Sequence, residues 1–137
     1  MNLGGGYHWG KQLYVALETG GLGLEYSNLH DPSVGAGISP YLVAMRYYVA
    51  PDGPYFLQVG AGRSHYWTNQ ANENGGWGKA FKIGGGWDIA VHGYDYVYIT
   101  PSINLYSGDY NETTITPSAT QRTKYRAVSF SVGLTLR

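Results

Sequence analysis

Residues 96–108, YVYITPSINLYSG, set Val97, Ile99, Pro101, Ile103 and Leu105 on one side of an extended chain and Tyr98, Thr100, Ser102, Asn104 and Tyr106 on the other. Side chains of a strand alternate between its two faces, so this stretch has one apolar face and one polar face. Everything turns on which of them meets water. An apolar face pointing inward describes a soluble sandwich or a lipocalin-like ligand-binding barrel. An apolar face pointing outward requires lipid around it.

Period-two alternation recurs along almost the whole chain and helical periodicity almost nowhere, which predicts an all-β fold. Seven strands are expected, at 2–9, 13–26, 40–50, 54–68, 77–91, 95–107 and 123–137. Most are longer than the roughly five or six residues common in soluble sheets and near the roughly 9–11 that cross a bilayer at a tilt. Short connections GKQ (10–12), PDG (51–53) and HGYD (92–95) alternate with long polar ones at 28–39, 69–76 and 108–122. An up-and-down meander then gathers the short turns at one end and the long loops at the other. Within 13–27, Leu13, Val15 and Leu17 take one parity and Leu22 and Leu24 the other, so Gly20 and Gly21 are expected to mark a bulge. Pro101 is expected at a bulge or at a strand boundary, since it has no N–H to donate.

The polar face is unlike a wet surface. On 77–91 it reads Gly78, Ala80, Lys82, Gly84, Gly86, Asp88 and Ala90, and on the last strand Ala127, Ser129, Ser131, Gly133 and Thr135. Charged residues are only 13% of a chain with 21 Gly, 14 Tyr and 4 Trp, about half the usual charged share. Small residues with a few larger polar ones suit the inside of a narrow barrel. Glu18, Arg46, Lys82 and Asp88 all take this parity, and buried charges need partners. An internal polar network is therefore expected, with Gln58, Ser102, Asn104 and Tyr106 among its members. Aromatics gather near strand ends (Tyr7, Trp9, Tyr41, Tyr47, Tyr55, Tyr66, Trp67, Trp77, Trp87, Tyr96), where amphipathic rings suit membrane interfaces.

Several function classes fall away. Nine Lys+Arg balance nine Asp+Glu, so no electrostatic footprint for nucleic acid exists. The longest apolar run, Tyr41–Met45, stops at Arg46, far short of a spanning helix. The chain has no cysteine, and His8, His30, His65 and His92 lack metal-ligand spacing, so neither a metal nor a cofactor is expected. GGGYHWG and IGGGWD hold glycine runs without a phosphate-binding pattern. The opening MNLGGGYHWG lacks the regions of a secretory signal, which is expected of a mature form with an added Met or of a chain made without its export sequence.

The one-sided loops and the motifs FKIGGGWDI, YVYITPSINLY and VSFSVGLTLR resemble the small outer-membrane β-barrel proteins of Gram-negative bacteria, the OmpA/OmpX-like superfamily, over nearly the whole chain. The resemblance implies an antiparallel up-and-down transmembrane β-barrel of about eight strands, spanning 1–137 as a single domain in the cell outer membrane. It also implies insertion by the barrel-assembly machinery and contact with the lipid bilayer and lipopolysaccharide. Such motifs are specific for fold and not for activity. The expected function is a non-enzymatic structural or surface-interaction role through the long loops, with a filled lumen and no wide pore. Two features depart from the family: seven strands leave the first and last running the same way, and the chain ends at Leu136-Arg137 without an outward aromatic. Either a strand and the terminal aromatic are missing or the count is wrong. EYSNLHDPS (25–33) resembles the YSN stretch of lipid A deacylases, which makes Ser27 and His30 the candidate pair of a lipid A-modifying enzyme. Glu25 stands where those enzymes carry their catalytic histidine, and a polar loop explains the stretch equally.

Overall fold

Alternating β-branched and aromatic residues, punctuated by Gly, Pro and Asp, resolve into ten antiparallel strands in a computed structural model that describes residues 2–24, 35–69, 73–94, 96–114 and 119–136. They are β1 (Asn2–Trp9), β2 (Leu13–Gly20), β3 (Leu22–Leu24), β4 (Ala36–Tyr48), β5 (Tyr55–Thr68), β6 (Glu73–Asn74), β7 (Trp77–Trp87), β8 (Ile89–Ala90), β9 (Val97–Thr114) and β10 (Ala119–Leu136). One path, β1-β2-β4-β5-β7-β9-β10, runs through the sheet, so the seven expected spans are present and each pairs with its successor. The short turns each place one residue in the left-handed region: Gly10 (φ 75°), Asp52 (φ 59°) and Gly93 (φ 91°). Lys11 and Asp52 join two of these turns through an exposed ion pair of 3.0 Å.

The short pieces are continuations of longer spans. Thr19 pairs with Tyr41 and Leu22 with Ile38, three steps on each strand, so β2 and β3 share one register against β4. No extra residue is inserted there, and the bulge expected at Gly20 and Gly21 does not form. Leu22 keeps the inward parity of Ala16 and Glu18 and packs against the buried core, so the apparent change of apolar face was an inward leucine. Between β7 and β8 the register against β9 is likewise unbroken, from Gly86–Ser102 to Ile89–Ile99. Both gaps contain a proline on the facing strand, Pro40 in β4 and Pro101 in β9, and a proline has no N–H for the ladder. Pro101 thus lies inside a strand, opposite Val132 of β10, and not at a boundary or bulge.

The bulge lies elsewhere. From Asn74–Thr113 to Ala80–Gly108 the chain takes six steps on one side and five on the other, an extra residue at Gly75-Gly76. A side chain at Gly76 would collide with the Asn111 carbonyl, and the Gly76 carbonyl accepts the Tyr66 N–H at 2.8 Å. The connections expected at 69–76 and 108–122 are accordingly much shorter than the sequence suggested. Residues 73–74 are strand, and β9 and β10 extend as a hairpin to Thr114 and from Ala119. Residues 36–39 of the expected 28–39 loop also belong to β4.

Exposure answers the question of the two faces. Ile99, Ile103 and Leu105 are exposed, as are Val43, Leu57, Val59, Phe81, Ile83, Val128, Phe130, Val132 and Leu134. Lys82, Asp88, Gln58 and Asn104 are buried. The sheet coils with its small, polar face inside: Glu18 on β2 reaches Lys82 on β7, and Arg46 on β4 reaches Thr135 on β10. It does not close into the expected barrel, because β1 and β10 end the path without pairing. With seven antiparallel spans these two edges run in the same direction, so the meander pattern cannot join them directly.

Inward glycines permit the tight coil. A Cβ at Gly84 would meet the Ile103 carbonyl and Asn104, whereas one at Gly133 finds nothing closer than 4.0 Å. Gly84→Ala is expected to destabilise the fold by about 1–3 kcal/mol and Gly133→Ala to stay within about 0.5 kcal/mol of the parent. Urea unfolding in detergent micelles, followed by tryptophan fluorescence, measures both.

Candidate functional site

The concave face carries two polar clusters. In the first, Lys82 of β7 forms an ion pair with Glu18 of β2 and donates to Gln58 Oε1 of β5 at 3.4 Å. Gln58 Nε2 donates to Asn104 Oδ1, Asn104 Nδ2 donates to Ser102 Oγ at 3.3 Å, and Ser102 and Ser131 share a hydrogen bond of 2.8 Å. In the second, nearer the short turns, Asp88 accepts from Tyr48 Oη at 2.8 Å and from Thr100 Oγ1 at 2.7 Å. Thr100 also bonds Thr135 at 2.7 Å, and Arg46 Nη1 donates to Thr135 at 3.4 Å. The Arg46 guanidinium lies 4.1 Å from the centre of the Phe56 ring, a cation–π contact in a partly desolvated setting.

All six residues expected inside (Glu18, Arg46, Gln58, Lys82, Asp88 and Asn104) therefore face one interior, in two groups. Arg46 and Asp88 are linked through the hydroxyls of Thr100 and Thr135. Sequence reading missed Tyr48, Thr100, Thr135 and Ser131 as members, though their inward parity was visible. Tyr106, expected beside the network, stands directly opposite Lys82 in the β7–β9 ladder and also packs in an aromatic plug with Ile38, Leu42, Tyr66, Tyr110 and Tyr125. Tyr66, expected near a membrane interface, is fully buried and stacks on Tyr110 at 4.4 Å between ring centres. This plug escaped notice because 108–122 read as loop.

Beyond the outward apolar residues, on the long-loop side, the charges change. Arg63 of β5 stands directly opposite Lys79 of β7, and Asp109 of β9 directly opposite Lys124 of β10. Asp109 accepts from the Lys79 backbone N–H at 3.0 Å and from Arg122 at 2.7 Å. These two donors hold its carboxyl below the usual carboxylate range, the Lys79 N–H contributing most. Arg126 joins the same outward side. Among the described residues, Arg63, Lys79, Lys124 and Arg126 form no ion pair.

No chemistry beyond this announces itself. His8 packs its ring 4.7 Å from Tyr14, His65 packs 4.8 Å from Trp77, and His92 is exposed at a short turn. Among the described residues no group of His, Cys, Asp and Glu could hold a metal ion. Ser27 and His30 lie outside the described residues. Comparison with family models, curated proteins and solved structures finds no match to this chain.

Two outcomes test these contacts. Glu18→Gln leaves the buried Lys82 without its anion and is expected to cost about 3–5 kcal/mol, with Glu18→Gln/Lys82→Met recovering part of the loss. Unfolding free energies of the single and double variants give the coupling. Asp109 is bound more tightly as the carboxylate when folded, so its contribution is present above the ordinary carboxylate range and fades as pH falls through its lowered value. An acid titration of stability is expected to lose that component in Asp109→Asn.

Proposed function

We propose that the chain is a small outer-membrane β-barrel of the OmpA/OmpX-like type, with a structural or surface-interaction role carried by its longer connections. The observation that carries this reading is the inversion of exposure. Phe130, Val132 and Leu134 are 77%, 75% and 76% exposed while Lys82 is 5% exposed. A soluble protein would bury the first three and solvate the last. On β9 the outward residues from Val97 to Ser107 carry no charge. Ten steps of about 3.4 Å, tilted by about 40°, rise about 26 Å, close to the apolar band of such barrels.

Other features agree. Outward aromatics flank the belt: Tyr41, Trp67 and Trp77 toward the long loops, and Trp9, Tyr47, Tyr55, Trp87 and Tyr96 toward the short turns. Hydrocarbon tolerates no unpaired strand edges, so the reading includes one more strand, antiparallel to both β1 and β10, to make eight. The aromatic plug and the two polar clusters fill the interior, which favours a scaffold over a channel. Location in the outer membrane and assembly by the barrel-inserting machinery follow from the same reading.

The test is folding in lipid against folding in water. The protein is expected to show heat-modifiable migration after reconstitution in detergent or vesicles, and to precipitate or remain unfolded in plain buffer. Phe130→Arg, in the middle of the belt, is expected to cost about 2–4 kcal/mol in phospholipid vesicles, measured by urea unfolding. A folded monomer in detergent-free buffer would end this reading.

A further inference from the structure

The outward face of β2, β4, β5 and β7 holds a shallow cavity of about 670 Å³. Its lining is mostly apolar, with Leu17, Tyr41 and Val43 continuous with the exposed belt; Glu18, which is paired with Lys82, and Thr19 border it, and its upper wall is Arg63 and Trp77. The Arg63 guanidinium lies 5.1 Å from the centre of the Trp77 ring, and Tyr41 packs against the same ring at 5.6 Å. Lys79 stands directly opposite Arg63 in the β5–β7 ladder.

That pairing is unusual. Like charges directly across two strands repel, and here both point outward at the edge of an apolar surface with no carboxylate in an ion pair to either among the described residues. Asp109 is the acidic side chain nearest in register, and it already accepts from Arg122 and from the Lys79 backbone. The two cations are therefore arranged for an anion from outside the chain. A phosphate suits them: an arginine fork and a lysine point charge together match its oxygens and its charge. The apolar cleft beneath requires that this phosphate be carried by something with a hydrocarbon tail.

We propose that Arg63 and Lys79, with the cleft of Leu17, Tyr41, Val43 and Trp77, bind a membrane lipid bearing a phosphate monoester, its acyl chain lying in the cleft and its headgroup between the two cations. The proposal rests on the membrane reading above and adds a specific lipid class and site to it. Trp77 orders Arg63 over the cleft mouth, so the headgroup meets a cation already in place.

The test uses a protein whose sole tryptophan is Trp77, the other three being replaced by Phe, reconstituted in phosphatidylcholine nanodiscs. Brominated acyl chains quench nearby tryptophan, so quenching reports which lipid occupies the cleft. Brominated phosphatidic acid is expected to quench at about tenfold lower mole fraction than brominated phosphatidylcholine, and brominated phosphatidylglycerol to fall between them. Arg63→Gln/Lys79→Gln is expected to abolish the preference, and Lys124→Gln, which removes one charge two strands away, to leave it intact. Equal quenching by all lipids, a preference that survives the double variant, or an equal loss in Lys124→Gln would overturn the site. Displacement of the brominated lipid by inorganic phosphate at matched concentration would also overturn it, since the acyl chain would then contribute nothing. Heat-modifiable migration of the same samples separates the two levels: insertion without lipid preference defeats only this site, whereas failure to insert defeats the membrane reading and the site together.

Discussion

A slip of one residue of β7 and β8 against their neighbours would carry Lys82 and Asp88 to the outside and Phe81 and Ile83 to the inside. Register is thus the constraint on which the sorting of this chain rests, and the interior contacts enforce it from several directions at once. Lys82 satisfies its charge only if β7 stands where Glu18 of β2 and Gln58 of β5 can both reach it. Asp88 needs Tyr48 from β4 and Thr100 from β9. Each buried charge is held by partners from two different strands, so a slipped ladder would strand it without compensation.

The narrowness of the interior sets the second condition. A Cβ at Gly62, Gly78, Gly86 or Gly108 would meet the backbone of a neighbouring strand, so the sheet could not coil as far with larger residues there. Coiling in turn brings Glu18 and Lys82 together across two intervening strands. The glycines and the ion pair belong to one device: small residues create the curvature, and the curvature lets distant strands neutralise each other's charges. The interior charges then balance, Glu18 and Asp88 against Arg46 and Lys82, since few ions can be accommodated there and those present must be matched.

Most of this was legible in the sequence because period two is a strong signal when both faces are chemically distinct. The seven spans, the outward face of 97–105 and the inward parity of Glu18, Arg46, Gln58, Lys82, Asp88 and Asn104 could all be read there. What misled was local composition standing in for structure. Gly20-Gly21 looked like a bulge, yet register is preserved there, while the real insertion at Gly75-Gly76 was hidden in a stretch rich in Asn and Gly that resembled a loop. The polar, threonine-rich segment around 108–122 read as a connection, although threonine is at home in strands and β9 and β10 carry the ladder through it. Tyr66, Tyr110 and Tyr125 could have been grouped only by knowing that the hairpin continued.

The path's open ends show which forces hold the coil. β1 and β10 share no ladder, so hydrogen-bonded closure contributes nothing to the curvature of the described residues. β10 is fixed to β9 by eighteen residue pairs and is reached from the far side by Arg46 of β4 through Thr135. β1 is fixed to β2, with His8 set against Tyr14 and, at 6.1 Å, against Tyr48 of β4. Side chains crossing the interior therefore hold the sheet coiled without a ladder between its two edges. The two edge strands run in the same direction, an arrangement that a strand antiparallel to each can satisfy on both of its sides. In a lipid setting that requirement is strict, because hydrocarbon offers no water to take the place of the missing partner.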